Sequence, residues 1–464
     1  MPVEEKVRQA ARIETRFSST GEAHRRSRDV LEAMFGPPHE RSFDVRFWDG
    51  TIDHGQGTAP FALHLNTPYA LRRMLVPPTE LSISEALIRG DIEVPGDLEA
   101  AVSLSDIIGH RIQTRKAMAN LARLVMALPR DRKDDLAERQ FSSSARALGP
   151  RHDPERDAAA VKFHYDIGND FYKLFLDERM VYSSAYFDDW SNVGSDTLDA
   201  AQEAKLDLIC RKLRLQPGER LLDIGCGWGA LIIHAATYYG VTATGITLSE
   251  EQAQLARERI WQASLSNRCS VDIRDYRTLG TGAEPEEYDK ISSVGMVEHV
   301  GEAKLAEYFE SAYRVLKSRG LFLNHGIVSL SDPRPITVRE RAFRKLWRAD
   351  AFIDKYVFPD GKLYALHKVI SAAERMGFET RDVESLREHY ARTLRLWVRR
   401  LEAHKDEAIR LVGEQTYRVW RLYMSGSARA FATAAIGIDQ TVFAKPDRAG
   451  SVLIPPTRDY LEPY

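Results

Sequence analysis

The chain has 464 residues, a net charge of −2 at pH 7 and 44% hydrophobic residues, enough for about two or three domains with sizeable cores. This near-neutral balance gives no whole-protein basic field, so nucleic acid is not an expected partner. No run approaches the ~20 apolar residues of a membrane span. The N-terminal stretch lacks an apolar signal core, and Cys210, Cys226 and Cys269 have neither disulfide nor zinc spacing, so the expectation is a cytoplasmic protein without a metal site.

Residues 43–108 read as a small α+β module. FDVRFWDGT (43–51) and FALHLN (61–66) alternate like strands, and 77–104 carry helix and turn signals around two Gly-Asp dipeptides. Residues 110–156 form a polar, Arg-rich connector. Within it Met118, Leu121, Val125 and Leu128 recur at helical spacing, with Arg115, Lys116 and Arg123 on the far side. That pattern suits a helix packed on a neighbouring domain, or one lying on an anionic bilayer surface. The segment HYDIGNDFYKLFLDERMVYSSAYFDD (164–189) interleaves aromatics with Asp and Asn, a pattern that neither an amphipathic helix nor a strand explains.

From 219 the chain becomes regular α/β. RLLDI, VTATGIT, CSVDIRD, YDKISSVG and GLFLNHGIV read as strands, with helices between them. Strands alternating with helices imply a doubly wound, mostly parallel sheet whose ligands bind at the carboxyl ends of the strands. LLDIGCGWG (221–229) is a strand ending in Asp223, a turn on Gly225, Gly227 and Gly229, and a helix start. Asp223 suits a ligand bearing positive charge, as S-adenosylmethionine does. A dinucleotide reader would want an acidic residue at the end of the next strand. That strand ends instead in Thr247, Leu248 and Ser249, which argues against NAD.

SVGMVEHVG (293–301) ends the fourth strand and carries Glu298 and His299, and the fifth strand supplies His325 in an apolar run. No other charge lies between Ser292 and His299, so Glu298 is expected to be desolvated and to need a partner. Two ionisable groups at adjacent strand ends beside a glycine-rich turn point to a site. A stretch at 339–359, rich in Arg and aromatics, then interrupts the alternation where a lid would sit.

Together GCGWG, HYDIGNDFY, YSSAYF, TLS with Gln252, VGMVEHVG and LFLNHGI resemble the cyclopropane-fatty-acyl-phospholipid synthase family. The resemblance covers about 164–445, and the module before it is similar to that family's N-terminal lipid-binding-like domain. It implies the Rossmann-like S-adenosylmethionine methyltransferase fold, with an N-terminal domain and basic connector over 1–145, a catalytic domain over 146–464 and a helical lid at about 330–376. It also implies that Tyr182, Ser183, Asp223, Gly225, Cys226, Gly227, Gly229, Thr247, Leu248, Gln252, Asp275 and Tyr276 contact the cofactor. Glu298, His325, Ile327 and Tyr390 match positions that hold a bicarbonate ion, with Ser184 beside it. Two family cysteines are replaced, by Ser184 and Ser427, so a thiolate mechanism is set aside.

The implied reaction adds a methyl(ene) group to the double bond of an unsaturated acyl chain of membrane phospholipid. Methyl transfer leaves a carbocation, which a nearby anion stabilises. Bicarbonate then removes a proton from the new methyl, and a cyclopropane closes. Glu298 is either protonated or accepts from the ion's OH, since two full negative charges would repel. Loss of a different proton would leave a methylene branch instead. A non-catalytic lipid-binding protein is the reading from another class. The expected setting is the inner face of a membrane, peripherally bound, and a homodimer is allowed.

Overall fold

The computed structural model describes residues 21–111, 114–131, 167–191, 197–283, 286–330, 351–358 and 361–461. They fall into two compact units, each built from more than one stretch of chain. The first draws on 21–131, 351–356 and 415–426, the second on 167–330, 357–414 and 427–461.

The first unit is α+β. Strands β1 (Asp44–Arg46), β2 (Ile52–Asp53), β3 (Ala62–Leu65) and β4 (Ile92–Glu93) form a sheet in the order β2-β1-β3-β4. A helix over 21–35 buries Val30, Leu31 and Met34. Thr79 starts the helix Glu80–Arg89 by accepting from Ser82 N, and Gly90 ends it in the left-handed region. Residues 351–356, the C-terminal part of the 339–359 stretch, form a short helix (Ala351–Tyr356) in this unit. It is tied to the helix Glu80–Arg89 by Lys355 Nζ on Glu85 Oε1 at 2.7 Å. Residues 331–350, the rest of the expected lid's first half, lie outside the described residues.

The second unit is a seven-stranded sheet in the order β10-β11-β9-β8-β5-β6-β7. Its strands are β5 (Arg220–Ile224), β6 (Thr242–Thr247), β7 (Cys269–Ile273), β8 (Tyr288–Val294), β9 (Leu316–Ser329), β10 (Glu379–Ser385) and β11 (Ile436–Ala444). From β9 to β7 all neighbours are parallel, whereas β11 runs antiparallel to both β9 and β10. Alternate residues feed two cores. Leu221, Leu321, Leu323 and Val442 face the helices Thr197–Lys212, Ala230–Tyr239 and Glu250–Gln262. Leu222, Ile291, Phe322 and Phe443 face Leu305–Val315 and Leu366–Arg375. Leu366–Arg375 falls within the expected lid, yet Val369 and Ala373 bury it in this core. Strand β5 has β6 on one side and β8 on the other, so the order reverses there and the ligand crevice opens at its carboxyl end.

Candidate active site

At the crevice the three turn glycines all take positive φ, which costs glycine little and a branched residue a great deal. The amides of Gly225 and Cys226 both donate to Ile246 O, at 2.9 and 3.0 Å, which pins the turn to β6. A Cβ built on Gly227 would meet no protein atom within 4 Å, so the turn faces open space of the kind a ligand fills. Asp223 is buried beneath it and accepts from Ser292 Oγ at 2.7 Å. Burial pushes its carboxyl up to about 6, opposed by that hydrogen bond and by the Lys205 ammonium.

Around this turn stand the other expected cofactor residues. Thr247 Oγ1 donates to Gln252 Oε1 at 2.9 Å, and Ser249 caps the helix Glu250–Gln262 through Gln252 N. Leu248 is half-buried between them. From the aromatic segment, of which 164–166 lie outside the described residues, Tyr182 stacks on Trp397 at 5.3 Å, and Tyr172 tilts against Trp228 at 5.1 Å. Asp275 caps the turn after β7 and spends its carboxylate on Arg277, accepting from N and Nε at 2.9 Å and pairing with Nη2. Tyr276 is buried against Tyr308. Both follow β7, two strands from β5, and are tied to β6 by Arg274 N on Thr247 O at 3.0 Å.

The second group of residues gathers on β9. The short turn Val297–His299 presents Glu298, only 8% exposed, whose Oε1 accepts from Ile327 N at 2.7 Å. Gly326 permits this contact, since a Cβ there would lie 2.3 Å from Val297 Cγ1. Burial raises the Glu298 carboxyl to about 7, and its Oε2 is buried without a hydrogen-bond partner. Two residues from Ile327 on the same face, His325 is wholly buried, and its Nδ1 meets Gln440 Nε2 at 3.1 Å. Its Nε2 is buried and also without a partner. Burial holds the imidazole well below its usual pKa, with the Lys205 and Lys212 ammoniums adding to the effect.

Tyr390 stands on the helix Arg387–Ala403, whose start is tied to β11 by Leu386 N donating to Ile438 O at 2.8 Å. Ile438 is the register partner of Ile327. The Tyr390 ring meets Trp397 edge-on at 5.9 Å, so one indole touches both Tyr182 and Tyr390. Ser184 is fully buried and donates to Ala185 O at 3.0 Å, so its hydroxyl is spent on the backbone. Ser427 is half-buried on the helix Lys405–Ala432. All three cysteines are buried with their thiols pushed up, so none is an activated nucleophile.

A family model described as mycolic acid cyclopropane synthetase matches residues 152–441. The chain belongs to this family. A second model, described as a domain of unknown function, matches residues 30–108. A probable fatty acid methyltransferase of Pseudomonas putida is 38% identical over 89% of this chain and 95% of its own length. Cyclopropane mycolic acid synthase 1 of Mycobacterium tuberculosis is 38% identical over 61% of this chain and 95% of its own. Among solved structures, the cyclopropane synthase MmaA2 of Mycobacterium tuberculosis aligns with a TM-score of 0.56 at 35% identity, over 62% of this chain and 98% of that one. CmaA1, solved in complex with SAH and CTAB, aligns at 0.55 and 35% over the same shares. The protein is therefore a cyclopropane-synthase-type, S-adenosylmethionine-dependent methyltransferase, and the sheet order and the glycine turn fit that cofactor.

Several residues of this family site escaped the sequence reading. Lys205, Gln202 and Ser292 pack directly behind residues expected at the cofactor, Gln440 behind His325, and Trp397 between the two groups. On the helix Thr197–Lys212 the positions 198, 201, 202, 205, 208, 209 and 212 share one buried face. That spacing was available in the sequence, but the polar side chains on it disguised the face.

Proposed function

We propose that the protein transfers a methyl group from S-adenosylmethionine to the double bond of an unsaturated acyl chain of membrane phospholipid, and that the product is a cyclopropane. The observation that carries this reading is a pair of unpartnered buried atoms, one on the turn Val297–His299 and one on β9. Glu298 Oε1 already accepts from Ile327 N, so the protonated carboxyl carries its proton on Oε2. Gln440 Nε2 is donor-only, so neutral His325 carries its proton on Nε2. In their uncharged states both atoms are donors, and two buried donors without acceptors suit a small anion such as bicarbonate.

Bound there, bicarbonate would supply a base and a negative charge beside a cationic transition state. Glu298 and His325 would hold it while adding no net charge, and Tyr390 would close the site from the helix Arg387–Ala403. The Tyr182, Trp397 and Tyr390 rings form an apolar wall suited to an alkene and hostile to water. The residues expected at the cofactor would hold S-adenosylmethionine at the turn, where it supplies an electrophilic methyl group.

A peripheral membrane setting is supported by the helix Arg115–Met126. It buries Val125 yet leaves Met118 and Met126 49% and 55% exposed beside Arg115, Lys116 and Arg123. Exposed thioethers flanked by cations suit an anionic lipid surface. No described helix is long and apolar enough to cross a membrane. Mass spectrometry of phospholipids from cells expressing the protein tests the reading. Acyl chains heavier by one CH2 at the expense of unsaturated species support it, and an unchanged acyl profile overturns it.

A further inference from the structure

Lys205 lies on the helix Thr197–Lys212 with only 1% of its surface exposed, and among the described residues its ammonium makes one hydrogen bond, to Ser183 Oγ at 2.9 Å. An ammonium can only donate, so Ser183 Oγ must accept from it. The hydroxyl proton of Ser183 is then directed elsewhere, and no acceptor takes it among the described residues. The Ser183 backbone is held from behind, because Gln202 Nε2 donates to Ser183 O at 2.9 Å and to Val181 O at 3.3 Å.

The nearest opposite charges do not close on Lys205. Asp177 is occupied with Val181 N at 2.7 Å and Arg179 N at 3.0 Å, and Asp223 with Ser292 Oγ at 2.7 Å. A buried ammonium short of an anion is costly unless a ligand completes it. Asp223 and Lys205 feel each other's charge across this space. An anion at the end of β5 and a hydroxyl backed by a cation that feels that anion's charge are complementary to a zwitterion: the α-ammonium and α-carboxylate of an amino acid.

We propose that Lys205 is a positioning residue that fixes the Ser183 hydroxyl as an outward donor and makes the pocket select the methionyl carboxylate of the cofactor. This rests on S-adenosylmethionine being the ligand of the turn.

Calorimetric titration with S-adenosylhomocysteine, and with its analogue lacking the carboxylate, tests the inference without turnover. The parent protein should bind the full ligand about 10- to 100-fold more tightly, the scale of one charge-assisted hydrogen bond. Lys205→Met, which keeps most of the stem, should bring the two affinities close together by weakening only the full ligand. Ser183→Ala should do the same, and the double variant should lose no more than Ser183→Ala alone. Circular dichroism and melting check that Lys205→Met folds, and Ser183→Ala with the parent carries the test if it does not. Equal affinities in the parent, or a preference for the carboxylate that survives either variant, overturns the inference. So does a Lys205→Met protein that changes only its response to bicarbonate. A parent that binds neither ligand would instead remove the cofactor assignment on which the inference stands.

Discussion

Gln440 Nε2 and His325 Nδ1 lie 3.1 Å apart across a register pair of β11 and β9, both side chains fully buried. With the Gln440 amide oriented N–H toward Nδ1, the amide donates and the imidazole proton lies on Nε2. A neutral histidine locked in one tautomer is a directed donor. Nitrogen-15 NMR of labelled protein should show the Nε2–H form of His325 with no imidazolium at pH 7. Gln440→Leu should mix the tautomers and lower turnover by about 10-fold or more, the scale of a misplaced general acid–base group, while cofactor affinity holds. A pure Nδ1–H signal in the parent would contradict the arrangement.

Glu298 makes the site sensitive to pH. Burial raises its carboxyl to about 7, and burial raises Asp223 to about 6. In the proposed reaction Asp223 must be ionised to attract the cofactor's positive charge, and Glu298 must keep its proton to donate to the proposed anion. The dependence of kcat/KM on pH should therefore rise through about 6 and fall through about 7. Glu298→Gln should remove the alkaline limb and lower turnover by roughly 100-fold or more while leaving cofactor affinity intact. Stability follows the same sign. The unfolded carboxyl loses its proton near the ordinary glutamate value while the folded one keeps it. Glu298's contribution is thus present at low pH and is lost as pH rises toward 7. A melting temperature whose pH dependence across that window is identical in Glu298→Gln would contradict the assignment.

The parallel strands β5 to β9 were legible because each alternates with a helix, and β5 covers the RLLDI stretch, one residue past Asp223. Glu298 was legible too, since a lone charge in an apolar strand end must be buried or paired. Strands β10 and β11 were not. ETRDVES carries four charges in seven residues and looks solvated, yet it pairs along β11 at the sheet edge. The polar residues behind the site were hidden for a related reason. Lys205 and Gln440 are buried by tertiary packing, which local polarity opposes rather than signals.

Gly227→Val should abolish cofactor binding while the fold survives. The valine Cβ would meet no protein atom within 4 Å but would occupy the space before the turn, at a φ of +52° that a β-branched residue resists. Calorimetry against S-adenosylhomocysteine checks it, with circular dichroism reporting the fold. Unchanged affinity would separate the turn from the cofactor.

The helix Arg115–Met126 should bind vesicles that carry anionic lipid, and less so as salt rises, because surface attraction decays within a Debye length. Charge reversal at Arg115, Lys116 and Arg123 should remove the salt-sensitive part. Met118→Ser with Met126→Ser should weaken the remainder. Equal, salt-insensitive binding to neutral vesicles would rule out the basic face as the anchor.

Whether this site methylates an acyl double bond and closes a ring is read most directly from the product. The protein, S-adenosylmethionine and vesicles of a cis-unsaturated phospholipid are incubated with bicarbonate, and the extracted lipid is examined by proton NMR. Ring protons are expected far upfield at the expense of the alkene signal, with loss of both changes in Glu298→Gln. New vinylic signals without ring protons would contradict ring closure, and an acyl chain left untouched would contradict the claim as a whole.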